Sequence, residues 1–308
     1  MRKKRSSGDT PSPRSTAVQH AELHIDPQDA GRIYHHDAAV ASTMTHGHRH
    51  PEWEINLVTR GHAAYLIDGR RVPLAVDSLL WLLPTQGHLL LDRSDDFQMW
   101  ILVVRPAIVR RLSRDEAFAP WRAWLRGKRP PLQHRTISED AARWIAEQSA
   151  RFFPQNPEEE TPPDQPPAPL GPRHLEAALT LLVAEAWHAM QNAPDCPAGS
   201  HLHPAVQQAA LWLADHAHEP AADDLNALAR HCHVSRPHLS RIFRQQTGQT
   251  LTDFRNRRRA QRFFNLYGRG GRLTLTQAAY AAGFGSYAQA YRVIKAVTGH
   301  NPRAAAHI

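Results

Sequence analysis

Cysteine is almost missing from this chain. Only Cys196 and Cys232 occur among 308 residues. Their spacing makes no Cys-x-x-Cys pair, which excludes a disulfide scaffold and a cysteine-built zinc module. Both thiols are expected to be reduced, in a cytoplasmic protein. Long apolar runs are missing too. A membrane span needs about 20 apolar residues in succession, so no membrane partner is expected. The run Arg2 to Arg5 has no apolar stretch after it and is not expected to act as a signal peptide. Residues 1–19, polar and rich in Ser, Pro and Arg, read as a disordered basic tail. Acidic residues are scarce in the last third. From His201 onward five Asp and Glu stand against fourteen Lys and Arg, while the whole chain carries a net charge of +8. The excess positive charge therefore lies in that third, as an anionic polymer such as DNA requires.

What is present there is a repeat. Leu225 to Gly248, LNALARHCHVSRPHLSRIFRQQTG, reads as two helices and a tight turn. Leu225, Leu228 and Ala229 mark one helical face. Ser235 stands where an N-cap belongs and Gly248 where a left-handed C-cap belongs. Leu239, Ile242 and Phe243 form the inner side of the second helix, and Arg236, Ser240, Arg241 and Arg244 the outer. A second copy, Ser286 to Gly299, repeats Ser235 to Gly248 at an offset of 51 residues, with Arg292 on Arg241 and Lys295 on Arg244. Leu275 to Phe284 supplies the preceding helix and turn. Two helices, a turn and a basic outer face form a helix-turn-helix signature. Leu251 to Tyr267 reads as a connecting helix about 25 Å long, with Arg255, Arg257, Arg258, Arg259 and Arg262 on a face expected to lie partly near phosphate.

The pattern LAxxxxVSxxHLSRIFRxxTG followed by AxxAGF…YRVxKxxTGxxP resembles the DNA-binding domain of the AraC/XylS family of bacterial transcription regulators. His233 stands where that family favours Gly, and Ala290 and Ile294 replace larger apolar residues, which gives the second unit a smaller core. The resemblance implies recognition helices whose N-terminal halves enter the major groove. Arg236, Ser240 and Arg241 are base-edge candidates in the first, with Pro237 beside them. Tyr287, Gln289 and Arg292 are candidates in the second. Arg244 and Lys295 are expected to hold phosphate, which sets affinity and register but not sequence.

Residues 20–126 read differently. WEINLVTR, AAYLID, SLLWLLP, HLLLD and FQMWILVV are short strand-like runs divided by turns such as Asp68-Gly69, a pattern of a sandwich or barrel. Within them lies HxHxxxExxxxxxG, formed by His48, His50, Glu54 and Gly61, with Pro84 and His88 further on. At even spacing the first three can share one strand face, although Pro51 interrupts it. This resembles the motifs of the cupin barrel, with Asp77 at an expected Gly position. The resemblance implies a divalent metal on such residues, and imidazole together with carboxylate suits Zn, Fe, Mn or Ni. The other reading is an effector pocket lined by the same four side chains. Residues 127–200 read as a helical linker or dimerisation region, with a Pro-rich loop from Pro154 to Pro172 and an amphipathic helix from Pro172 to Gln191. Residues 201–308 make the DNA-binding domain, which opens on a helix from Pro204 to His216.

The expected fold is α+β: an N-terminal cupin-like β-barrel followed by helices, then a C-terminal all-α domain with two helix-turn-helix units. The expected function is a sequence-specific DNA-binding regulator under control of a small-molecule effector, with double-stranded DNA, the effector, a second copy of the chain and RNA polymerase as partners. No catalytic residue is assigned. The alternative is a metal-dependent cupin enzyme carrying a DNA-binding domain.

Overall fold

The computed structural model describes residues 19–20, 23, 25–37, 47–126, 132–153, 171–197, 199–267 and 273–305. The expected tail up to residue 18 and most of the Pro-rich loop, 154–170, lie outside them. Eleven strands are described. They are β1 (Gln19–His20), β2 (Gly31–Asp37), β3 (His48–Arg49), β4 (Trp53–Arg60), β5 (Ala63–Ile67), β6 (Arg70–Leu74), β7 (Ser78–Leu82), β8 (His88–Arg93), β9 (Gln98–Val104), β10 (Gln133–Thr136) and β11 (Ser200–His201). One sheet runs β1-β3-β8-β5-β6-β11 and the other β10-β7-β4-β9-β2. Their facing surfaces enclose Val58, Tyr65, Val72, Leu80, Met99 and Val103.

The outer surfaces are covered as well, which is why SLLWL and its neighbours read as continuous apolar runs rather than alternating ones. Helices α1 (Pro106–Leu112), α2 (Ala119–Leu125), α3 (Glu139–Phe152) and α4 (Pro172–Gln191) lie over the five-stranded sheet. Tryptophans dominate that layer: Trp121 stacks on Trp187 at 5.3 Å, and Trp81 meets Trp121 edge-on at 5.0 Å. The α4 stripe of Leu179, Leu182, Val183, Ala186, Trp187 and Met190 is buried here. It packs within its own chain, against the five-stranded sheet, and Leu181 is the one exposed large apolar side chain of the helix. Strand β10 pairs along β7 from Gln133 to Thr136. The barrel thus takes a strand from beyond position 126, inside the segment read as a helical linker.

Of the C-terminal helices, the first four pack on the other sheet. In chain order the C-terminal helices are α5 (Pro204–His216), α6 (Leu225–His231), α7 (Arg236–Thr247), α8 (Leu251–Tyr267), α9 (Leu275–Ala281), α10 (Tyr287–Thr298) and α11 (Pro302–Ala305). Leu66, Leu89 and Leu91 of the barrel join Val206, Leu213, Leu239, Phe243 and Phe254 in one core. Strand β11 pairs with β6, and Gln249 Nε2 donates to the Leu91 carbonyl at 3.0 Å.

Two buried histidines give this fold an acid sensitivity. Burial, then the charges of Arg93 and His35, push His36 down to about 3. Burial and Arg135 push His134 down to about 4. His134 is 4% exposed, and among the described residues neither ring nitrogen has a hydrogen-bond partner. Both side chains stay neutral in the fold and take up protons near pH 6.5 once unfolded. Their contribution is complete above about pH 6.5 and is lost as pH falls toward 4. From pH 7.5 to 5.0 each should cost about 2 kcal/mol of stability. In urea titrations His134→Leu should lose about that much less than the parent over the same interval; parallel losses in the two proteins would contradict the assignment.

Candidate functional site

The two helix-turn-helix units are built alike. Asp224 caps α6 by accepting from the amides of Asn226 and Ala227 at 2.9 and 3.0 Å. Ser235 caps α7 and Ser286 caps α10, and Gly248 and Gly299 close those helices at φ 80° and 75°. In each turn one residue is left-handed: His233 at φ 56° in the first and Gly283 at φ 92° in the second. A side chain at Gly283 would meet the His218 backbone at 2.5 Å, so glycine is obligatory there, whereas His233 in the first turn is exposed. The offset between the turns is 50 and between the following helices 51, because Gly285 is inserted ahead of the cap at Ser286.

The inner faces form separate cores. Leu239, Ile242 and Phe243 join the core shared with the barrel. Ala290 and Ile294 are fully buried against Phe263, Phe264, Ala278, Ala279, Ala282 and Phe284, so phenylalanines from α8 and the turn fill the space that smaller residues leave. The outer faces carry Arg236, Pro237, Arg241 and Arg244 on α7, and Arg292 and Lys295 on α10, all exposed. Ser240 is half-buried on the same α7 stripe. Tyr287 and Gln289 are half-buried. Gln289 is turned back, its Oε1 accepting from the Gly285 backbone amide at 2.9 Å, and its backbone N–H donates to Ser286 Oγ. The structure therefore gives its side chain a capping role that the sequence reading did not foresee. Tyr291, at the position that the offset of 51 aligns with Ser240, is exposed and was missed. The repeat itself held that signal.

The connector α8 departs from expectation. Arg255, Arg258 and Arg259 are buried rather than turned to solvent. Arg259 donates from Nε to the Ala217 carbonyl at 2.6 Å and from both Nη atoms to Asp223 at 3.1 Å. Arg255 reaches Asp223 at 2.7 Å and the Ala222 carbonyl at 3.1 Å. Arg258 lies over the Phe254 ring and donates to the Leu90 carbonyl of the barrel. These guanidiniums cross-link helices and domains, and the phosphate reading is withdrawn for all three. Arg257 is exposed and contacts Asp92 at 3.3 Å.

In the barrel, His48, His50, Glu54 and His88 converge, each offering a ligand atom within 4.8 Å of the others. They do not share one continuous strand, because the chain breaks at Pro51 between β3 and β4. Convergence comes instead from pairing: His48 lies directly across from His88 in the β3–β8 ladder, and Glu54 projects from β4 of the opposite sheet. Glu54 Oε2 lies 3.0 Å from His50 Nε2 and 3.4 Å from His88 Nε2. Asn56 donates to Glu54 Oε1 at 2.7 Å, and His88 Nδ1 is 3.0 Å from the Gln86 carbonyl. Burial would push the Glu54 carboxyl up, but the His88 charge and the hydrogen bonds from His50 and His88 override it and hold the group well below its usual range. Burial would push His88 down, and Glu54 together with the Gln86 carbonyl raises it instead. First-row metals sit about 2.0–2.2 Å from such donors. A small contraction would bring all four atoms onto one ion, with Asn56 and Gln86 orienting the ligands from behind. The residues present fit a divalent transition metal. Asp77, at the position where glycine was expected, adopts φ 64° and meets the same backbone requirement.

Two family models match the chain: an AraC-like ligand binding domain over 33–147 and a helix-turn-helix domain over 228–307. Together they span more than half of it. The chain belongs to the AraC family of transcription regulators. It is a DNA-binding regulator with an effector-binding N-terminal domain, and the family resemblance drawn from the repeat holds. No curated protein sequence matches it significantly. Among solved structures, an apo variant of ToxT from Vibrio cholerae is similar at 13% identity and TM-score 0.37, over 89% of this chain and 96% of that one. The AraC-like transcriptional activator CuxR is similar at 15% identity and TM-score 0.30, over 73% and 71%. The C-terminal domain of AraT from Geobacillus stearothermophilus is similar at 22% identity and TM-score 0.32, over 35% and 88%. The family assignment rests on the two domain matches alone. Among the described residues no helix of this regulator is long and apolar enough to cross a membrane.

Proposed function

We propose that α7 and α10 of this regulator read two successive major-groove segments of one DNA site. Arg236, Pro237, Ser240 and Arg241 would face base edges from α7, and Tyr287 and Arg292 from α10, while Arg244 and Lys295 would hold phosphate. The observation that supports this is the exposure of Arg241 and Arg292 at equivalent points of two helices whose inner faces are buried. Arg241→Ala and Arg292→Ala should each cost about 1–3 kcal/mol of binding and relax specificity at separate positions about 10 base pairs apart. Equal weakening on all sequences would make them phosphate contacts instead. One chain already carries both reading helices. A second copy, where the regulator dimerises, would have to dock away from the buried α4 stripe.

The barrel serves as the sensor, and we assign it no catalytic step. His48, His50, Glu54 and His88 would hold a divalent transition metal, which would offer open coordination positions to a small oxygen-donor effector. Strand β8 supports a route from that site to the DNA-binding helices. Its first residue, His88, belongs to the cluster, and Leu90 faces the barrel interior. Leu89 and Leu91 face the other way, into the core that contains α5, α7 and α8. The carbonyls of Leu90 and Leu91 hold Arg258 and Gln249, and Asp92 meets Arg257. A shift at one end of β8 therefore bears on the seating of the DNA-binding domain, which is the differential contact that control by an effector requires.

A further inference from the structure

The outer stripes of the two reading helices differ in chemistry. On α7 the stripe at i, i+3, i+4 and i+7 is Pro237, Ser240, Arg241 and Arg244; on α10 it is Ala288, Tyr291, Arg292 and Lys295. Both helices keep an arginine at i+4 and a cation at i+7. They part at the first two positions, where α10 places a methyl group and an aromatic ring. Tyr291 is 38% exposed although it is a large apolar side chain, and its ring stands edge-on to Tyr287 at 6.5 Å. The side chain best suited to a bidentate adenine contact, Gln289, is committed to the Gly285 amide as a cap. Beside Tyr287 at its start, the outer stripe of α10 is therefore an exposed pair, Ala288 and Tyr291, next to one arginine.

In the major groove, the base feature that apolar side chains recognise is the 5-methyl group of thymine, whereas arginine favours the O6 and N7 of guanine. We infer that Tyr291, with Ala288 leaving room beside it, is a specificity-determining residue that selects thymine in the half-site under α10. The half-site under α7, with a polar serine at the aligned position, lacks this aromatic contact. The operator is then asymmetric, with a guanine-dependent half and a half that needs both guanine and thymine. This rests on the proposal that the two helices read DNA.

The test begins with full-length protein and a random pool of duplex DNA, from which bound sequences are selected. In the selected site each thymine is then replaced in turn by uracil, which removes only the methyl group and keeps the base pair. At one thymine under α10 the replacement should weaken binding about five- to tenfold, within the range of a single base mismatch. Tyr291→Ser, which installs the residue found at the aligned position of α7, should bind thymine and uracil duplexes equally and remain as stable as the parent. Arg241→Ala serves as the reference for the interface as a whole. If uracil is tolerated everywhere while Arg241→Ala still weakens binding, the thymine inference is overturned and the reading helices stand. If Tyr291→Ser leaves the uracil penalty unchanged, some other side chain makes the contact and the inference is likewise overturned. A pool that yields no enriched sequence removes both.

Discussion

Arg259→Ala should destabilise the DNA-binding domain by about 3 kcal/mol, near the lower end for removal of one partner of a buried ion pair. The lower end applies because Asp223, the partner left behind, is itself half exposed to water and can be resolvated. Arg259 is 1% exposed and ties the C-cap of α5, through the Ala217 carbonyl, and the segment before α6, through Asp223, to the middle of α8. Truncation leaves that carbonyl unpaired and opens a cavity, two costs that add. Asp223→Ala should be at least as harmful, since it strands the buried guanidiniums of Arg255 and Arg259 together. Urea unfolding of the full chain, followed by hydrogen exchange in α5 and α8, would show the loss directly. A variant with parental stability and a shallower salt dependence of DNA binding would restore the phosphate role that the charge pattern of α8 suggests.

His50→Ala should abolish metal binding. Elemental analysis of protein purified without an affinity tag should find close to one transition metal per chain in the parent and almost none in the variant. Calorimetric titration with Zn(II) on chelator-treated protein should agree. Asn56→Ala, which leaves all four donors in place but frees Glu54 Oε1, should weaken binding by about 10–100-fold, as loss of an orienting partner does. Metal-free parent protein that ignores added Zn(II), Mn(II) and Ni(II) would leave the four side chains as hydrogen-bonding groups of the effector pocket. Control has a separate readout. DNA affinity should differ at least fivefold between metal-loaded and metal-free protein, the lower range of allosteric coupling. Gln249→Leu, which cuts the hydrogen bond to the Leu91 carbonyl, should keep the metal and lose most of that difference. Unchanged coupling in this variant would mean that β8 is not the route.

The helix-turn-helix units were legible from sequence because their determinants are local. Caps at Ser235, Gly248, Ser286 and Gly299 lie within a turn of the groups they satisfy, and apolar residues at helical spacing mark the inner faces. The helices from Pro172 to Gln191 and from Pro204 to His216 were legible for the same reason, and both fall on those residues in the structure. Tyr291 was within reach, because the offset that paired Arg241 with Arg292 also pairs it with Ser240. Other features had no local sign. Whether an arginine on α8 faces water or a carbonyl depends on Ala217, Ala222, Asp223 and Leu90, which are distant in sequence. The four-residue cluster was named from its motif, yet its closure depends on β3 pairing with β8 and on Glu54 reaching across from the other sheet. The α4 stripe looked the same whether its partner was a second copy or the barrel beneath it. Amphipathic spacing shows that a face will be buried; only the packing of sheets and helices decided what buries it, because burial is non-directional and carries no record of the partner.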